Sequence, residues 1–224
     1  MKYLIFDAGP IISLTMNGLL NVIERLKEKF DGEFVITPGV KHEVIDRPMK
    51  INKYKLEALQ VKQLLDKGIF RHCYEIVSAQ KLDIETKRIL KIANSSLRSL
   101  NSGEKINLIH EGEASCLAFA NLCSCDSVIV IDERTTRLIG EAPKNLEKMM
   151  EKKLHTSLQA NPESLKFFRK FRFIRSSELL FVAFKKGLIP LKKDKQTLEA
   201  LLYGVKYKGT SISEQEIEEM KKMV

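Results

Sequence analysis

Four carboxylates, Asp7, Glu43, Glu113 and Asp132, stand where strands are predicted to end or helices to begin. Asp7 closes the apolar run Tyr3-Leu4-Ile5-Phe6, and Asp132 closes Val128-Ile129-Val130-Ile131. Glu43 falls in the helix expected after Phe34-Val35-Ile36, and Glu113 opens an apolar helix at Gly112-Glu113-Ala114. In an open parallel sheet, ligands bind outside the carboxyl ends of the strands. Acids brought to that edge from distant sequence positions are therefore candidates for one site. Two carboxylates ~5 Å apart repel by roughly 3 kcal/mol at an effective dielectric of ~20. A divalent cation turns that repulsion into binding, and oxygen-only ligands favour Mg²⁺ or Mn²⁺ over zinc. The chemistry this pattern supports is metal-dependent phosphodiester hydrolysis. Blander accounts stand beside it: a helix macrodipole alone favours Glu113, and Glu43 in mid-helix can be an ordinary solvated residue. Asp7, directly after four buried strand residues, has no such account. Glu111, Glu133 and Asp126 read as surface charge.

The elements that position these acids follow from the apolar pattern. Residues 3–7 read as a buried strand, Gly9-Pro10 as a turn, and 11–28 as a helix stopping near Asp31-Gly32. After the strand at 34–36, Thr37-Pro38 is a hydroxyl N-cap with proline at the first helical position, and that helix ends before Pro48. An amphipathic helix is predicted over 52–67, with Leu56, Leu59, Leu64 and Leu65 toward the core and Gly68 as its cap. Residues 70–77 read as a strand, 82–100 as a helix, and Asn101-Ser102-Gly103 as a loop. Glu113 to Leu122 is apolar nearly all round and reads as a buried helix, followed by a strand at 128–131. From Asn145 to about Leu165 an inserted helix and turn are expected, broken at Asn161-Pro162. Phe171 to Ile174 reads as a last strand, and Ser176 or Ser177 caps a helix ending at Gly187. Ser213 and Glu216 form a capping box. Alternating strands and helices predict an α/β fold with a central parallel sheet, in one domain spanning 1–224.

Composition narrows the class. The 224 residues are 44% hydrophobic and 30% charged, as in water-soluble globular chains. No apolar run approaches the ~20 residues of a membrane span. The chain enters strand-like sequence at once, without a cleavable leader, so a cytosolic location and no membrane partner are expected. The cysteines, Cys73, Cys116, Cys123 and Cys125, include one C-x-C pair with no second pair, so they read as structural. Net charge is +9 and unevenly spread: residues 1–143 hold 20 Lys+Arg against 19 Asp+Glu, and residues 144–224 hold 18 against 10. Lys166, Arg169, Lys170, Arg172 and Arg175 alternate with Phe167, Phe168, Phe171 and Phe173. Cations beside aromatics suit single-stranded nucleic acid. Alternatively, the phenylalanines are buried and only the charges face RNA.

The segments Ile5-Phe6-Asp7-Ala8-Gly9-Pro10-Ile11-Ile12-Ser13-Leu14, Thr37-Pro38-Gly39-Val40-Lys41-His42-Glu43-Val44, Gly112-Glu113-Ala114 with Leu117-Ala118, and Ile131-Asp132-Glu133-Arg134 together resemble the PIN domain family. Their order is that of prokaryotic members, including toxin ribonucleases of the VapC kind. The tail Leu179 to Ile189 and the turn Gly209 to Ser213 are similar to the close of one PIN subgroup. The resemblance implies a three-layer α/β/α fold with helical insertions at about 50–105 and 141–170. It also implies a Mg²⁺- or Mn²⁺-dependent ribonuclease acting on single-stranded RNA. The family's acidic cluster maps onto Asp7, Glu43, Glu113 and Asp132, which serve as both catalytic and metal-binding residues, and Ser13 onto a polar position near the metal. Two departures stand out. Ser115 is where many members carry a further acid, and Arg175-Ser176-Ser177-Glu178 replaces a glycine-rich turn. The implied partners are RNA, an antitoxin or an RNA-processing complex, and a second copy in a homodimer. The competing functions are an inactive RNA-binding scaffold and an antitoxin-regulated toxin.

Overall fold

Strands buried on both faces read as unbroken apolar runs, and such strands pair in parallel. In the computed structural model, which describes residues 2–123 and 126–224, the strands are β1 (Lys2–Phe6), β2 (Glu33–Ile36), β3 (Phe70–His72), β4 (Leu97–Ser99), β5 (Asp126–Val130), β6 (Leu158–Ala160) and β7 (Phe173–Ile174). Five of them form one parallel sheet in the order β3-β2-β1-β5-β7. The helices are α1 (Ala8–Met16), α2 (Leu20–Lys29), α3 (Pro38–Lys41), α4 (Lys55–Asp66), α5 (Ala79–Ala93), α6 (Glu111–Leu122), α7 (Arg134–Glu141), α8 (Pro143–Leu154), α9 (Pro162–Phe168), α10 (Ser176–Lys185), α11 (Lys195–Lys206) and α12 (Glu214–Lys222).

Topology distributes these helices. Crossovers between parallel strands are right-handed. The chain runs from β1 outward to β2 and β3, then returns across β1 to reach β5 and β7. Reversing direction sends the later crossover helices to the opposite face. Accordingly α1 packs with α2, α4 and α10, whereas α6 packs with α5, β1 and β5, and α9 with α5 and α7. The expected α/β architecture with a central parallel sheet is present. The order reverses between β1 and β5, and that is where such sheets bind ligands.

The segments 50–105 and 141–170, expected as insertions, meet each other. β4, from the first, pairs antiparallel with β6, from the second, with Leu97 opposite Ala160 and Ser99 opposite Leu158. Both contribute to one continuous apolar core: Leu97, Leu146, Leu158 and Phe168 are buried in the same cluster as Ile5, Phe34 and Phe119. No described helix is long and apolar enough to cross a membrane.

Several local expectations change. Gly9-Pro10 is not a turn but part of the first turn of α1, where the missing proline N–H would have had no helical partner. The single helix expected over 11–28 is two, broken at Gly18, whose φ of +68° is a glycine conformation. In α4 the buried residues are Ala58, Val61 and Leu64, while Leu56 and Leu59 are 66% and 46% exposed. Packing against α1 and β3 sets the helix phase, not the number of leucines. The strand at 70–77 stops at His72, whose Nδ1 accepts from Tyr74 N–H at 3.5 Å to start a 3₁₀ turn. The helix over 82–100 ends at Ala93, freeing 97–99 for β4. Asn161-Pro162 starts a helix: Asn161 Oδ1 accepts from Ser164 N–H at 3.2 Å. Helix α11 had no expectation. The Thr37 cap, Gly68 and Gly187 at positive φ, and the Ser213–Glu216 capping box are all present. Cys73, Cys116 and Cys123 are buried; Cys125 lies outside the described residues.

Helices α7 and α9 approach closely at Gly140, where a Cβ would come within 2.9 Å of both the Phe168 carbonyl oxygen and the Phe173 ring. Gly140→Ala is therefore expected to lower unfolding free energy in urea by about 1–3 kcal/mol, the usual cost of overpacking. An unchanged midpoint excludes this close docking.

Candidate active site at the carboxyl edge of the sheet

Asp7 follows β1 directly. Its backbone N–H donates to Val130 O at 3.0 Å, which ties it to the end of β5. Its carboxylate caps α1, with Oδ2 accepting from Gly9 N–H at 3.4 Å. The side chain is buried, and its pKa is pushed up to about 7 by that burial and by repulsion from Glu113, with a smaller push from Glu43. The N–H groups of Ala8 and Gly9 act in the opposite sense.

Glu113 sits in the first turn of α6, where Oε2 accepts from His110 N–H at 2.8 Å. Burial drives its pKa to about 7 as well, reinforced by Glu133 and Glu43. The Thr136 hydroxyl opposes the shift, although it lacks a partner at full hydrogen-bond geometry. Glu43 lies in a π-helical turn, His42–Asp46, closed by Arg47 N–H donating to His42 O at 2.9 Å. Such turns recur at functional sites. Glu43 is exposed and makes no hydrogen bond or ion pair among the described residues. A Cβ at Gly112 would stand 2.8 Å from Glu43 Oε1, so glycine is what lets this carboxylate reach α6. Below it, the hydroxyls of Thr37 and Ser115 are 2.6 Å apart, linking α3 to α6.

Asp132 is held differently. Oδ1 accepts from Ser176 N–H at 2.8 Å, and Oδ2 accepts from the hydroxyls of Ser176 at 2.8 Å and Thr210 at 2.9 Å. Burial raises its pKa against the pull of these donors. Asp132 thus fastens the start of α10 and the Thr210 turn to the end of β5. It flanks the same point as Asp7: a Cβ at Gly9 would lie 3.6 Å from Asp7 Oδ2 and 3.8 Å from Asp132 Cβ.

No protein-family model, curated protein or solved structure matches the chain. The site therefore stands on its own geometry. Asp7, Glu43 and Glu113 are brought into mutual electrostatic contact, with Asp132 against the first of them. Among the described residues no three His, Cys, Asp or Glu groups stand in a ready-made metal-ligand arrangement. Glu113 and Asp132 are turned to protein donors, and Glu43 points to solvent. The donor chemistry nevertheless fits a hard divalent cation: three carboxylates with open lone pairs, two of them raised by burial and mutual repulsion. Ser13, on α1, carries a buried hydroxyl with no partner, a further oxygen of the right kind.

The basic stretch does not join this site. Arg172 pairs with Asp126, and Lys170 lies against Asn121, 4.1 Å from the centre of the Phe167 ring. Asp126 begins β5, so these cations stand at the amino edge of the sheet, roughly 15 Å of strand from the acids. Lys166 and Arg169 are exposed, while Phe168 and Phe171 are buried and unavailable for stacking on bases. Arg175 is turned inward, bound to Glu178 at 2.6 Å, to Glu216 at 2.7 Å and to Ser211 O at 2.9 Å. It is a structural residue in this fold. Arg137 is the cation that acts on Asp132; Arg47 lies beside Glu43 and Arg134 follows Glu133, neither with an ion-pair partner among the described residues. Arg47 follows Glu43 by four residues, a helical spacing that marks it in the sequence. Glu133, read as surface charge, acts on Glu113 more strongly than Glu43 does.

Two expectations follow. Asp7 and Glu113 bind protons more tightly folded than unfolded, so their contribution favours the folded state at low pH. It is lost as pH rises from the normal carboxylate range, near 4, through about 7. For Asp7 alone the loss is on the order of 4 kcal/mol. Without divalent cations at pH 8, Asp7→Asn should melt above wild type, and the gap should close below pH 5. Mn²⁺ should raise the wild-type Tm at pH 8 and raise that of the variant less; a Tm difference independent of pH and of Mn²⁺ excludes a cation site at Asp7.

The bonds at Asp132 make a separate demand. Asp132→Ala strands the buried donors of Ser176 and Thr210 and should cost roughly 2–4 kcal/mol in chemical denaturation, whereas Asp132→Asn, which keeps an acceptor for Ser176 N–H, should cost less than half of that. Equal costs for the two variants exclude the latch.

Proposed function

We propose that the protein is a metal-dependent endoribonuclease acting on single-stranded RNA, with Asp7, Glu43, Glu113 and Asp132 in one active site. The observation that carries this reading is the burial of both Asp7 and Glu113 at the crossover between β1 and β5, which pushes each up to about 7. A purely structural pair gains nothing from being buried in mutual repulsion. A bound Mg²⁺ or Mn²⁺ supplies an acidified water and neutralises charge on the phosphoryl oxygens.

The residues divide the remaining work. Asp7, fixed through its backbone to β5 and through its carboxylate to α1, is the most rigid ligand. Glu113 is anchored at Oε2 by His110 N–H and offers Oε1 to the site. Glu43, exposed and unpaired, orients the attacking water at Oε1, the oxygen that lies over Gly112. Asp132 holds the far wall in place through Ser176 and Thr210. Arg47 and Arg134, without ion-pair partners on this edge, receive phosphates on either side of the cut. The net charge of +9 favours a polyanion, and the resemblance to PIN ribonucleases points to RNA. Lys166, Arg169, Lys170 and Arg172 then bind RNA at a distance from the chemistry.

Cleavage of a mixed-sequence single-stranded RNA with Mn²⁺ or Mg²⁺ tests this. Asp7→Asn is expected to cut at least ~100-fold more slowly with RNA affinity kept within about threefold. Neutralising Lys166, Arg169, Lys170 and Arg172 together should weaken binding and reduce its salt slope by about 0.7 per lost phosphate contact, leaving the rate for saturating RNA unchanged. Tight RNA binding without cutting by either protein transfers the function to an inactive scaffold.

A further inference from the structure

Beside Glu43 lies a groove of about 340 Å³ between α1, the π-helical turn and α4. Its lining is mostly apolar, with Ile12, Met16, Val44 and Tyr54 among the walls. Ile12, Met16 and Tyr54 each stand more than a third exposed. Besides Glu43 itself, two charged groups line it. Arg47 has no ion-pair partner among the described residues. Glu57 Oε2 is buried without a hydrogen-bond donor. A buried acceptor left unsatisfied is costly, and a donor in the groove relieves it once the Glu57 side chain turns toward the opening.

We infer that this groove is a nucleobase pocket that selects guanine next to the cut phosphodiester, with Glu57 as the specificity-determining residue. The inference rests on the nuclease reading, since Glu43 belongs both to the acidic site and to the groove wall. The volume falls at the lower end of small-ligand pockets, suited to one base. Splayed bases of single-stranded RNA are held by stacking on aromatic rings or guanidinium planes and read on their Watson–Crick edges; Tyr54 and Arg47 supply both surfaces. An ionised carboxylate only accepts hydrogen bonds. Guanine presents two adjacent donors, N1–H and the N2 amine. Adenine and cytosine set one donor beside an acceptor nitrogen, and uracil sets its N3–H between two carbonyls. Glu57 therefore forms two parallel bonds with guanine and meets a lone pair with every other base. An apolar peptide in the same groove leaves both Glu57 and Arg47 unmatched.

The test maps cut sites in a random-sequence single-stranded RNA for wild type and Glu57→Gln. In parallel it measures affinity for fluorescein-labelled oligouridylates carrying one guanosine or one adenosine. Wild type should favour guanine beside the cut, and the guanosine oligomer in binding, by about ten- to hundredfold. Glu57→Gln, with an unchanged Tm, should shift both preferences toward adenine, whose edge a carboxamide matches. Cutting without base preference, or a guanine preference that survives Glu57→Gln, overturns the pocket and leaves the nuclease standing. No cutting, together with a Glu57-dependent guanosine preference in binding, overturns the nuclease and supports the pocket. Equal affinity for the two oligomers overturns the pocket whatever is cut.

Discussion

Repulsion between Asp7 and Glu113, buried at the end of the sheet, is the constraint around which the rest of this edge is arranged. Each carboxylate is brought out of water; Asp7 is raised further by Glu113, and Glu113 by Glu133 and Glu43. In a medium of low dielectric this costs far more than on a surface, so the fold has to hold the groups there by other means. It does so with the most rigid devices it has. Asp7 is bonded through its backbone to the neighbouring strand, and Glu113 is bonded to the N–H that precedes its helix. The hydrogen bonds lower the cost without removing it, because burial outweighs them in both groups. What remains is a raised affinity for the proton.

Asp132 solves a different problem with the same chemical group. Its oxygens accept three hydrogen bonds from the start of α10 and from Thr210, so its charge is spread over donors rather than left for a partner. The Arg175-Ser176-Ser177-Glu178 segment is what makes this possible. Ser176 supplies an N–H and a hydroxyl, and Arg175 turns inward to bind Glu178 and Glu216. The C-terminal third of the chain is thereby fastened to the acidic edge. The Ser176 hydroxyl donates to Asp132, a role that glycine at this position lacks.

Parts of the two segments expected as insertions pack together, although α4 and β3 of the first belong to the α1 face and to the central sheet. Pairing of β4 with β6 closes both segments against each other, and α9 docks on α5 and α7 through the close approach at Gly140. The Lys170 and Arg172 cations are carried to the amino edge by this arrangement. A basic run that is contiguous with the last strand in sequence is thus separated in space from the acids. The two ends of one strand, β5, carry Asp126 with its arginine partner and the approach to Asp132.

Much of this was legible in one dimension. Apolar runs located the strands of the parallel sheet, Thr37-Pro38 and Ser213 with Glu216 located helix starts, and acids at run ends located Asp7, Glu43, Glu113 and Asp132 at one edge. These signals are local: they depend on which residues bury and which backbone groups need caps. Helix phase in α4, the pairing of β4 with β6, the inward turn of Arg175 and the role of Glu133 were not legible. Each depends on what lies across a contact, and contacts between distant segments leave no periodicity. By itself the sequence determined that four acids gather on one edge of an α/β sheet. Tertiary structure alone decided which of them bear unrelieved charge, because burial and the direction of neighbouring donors exist only once the chain has crossed back over β1.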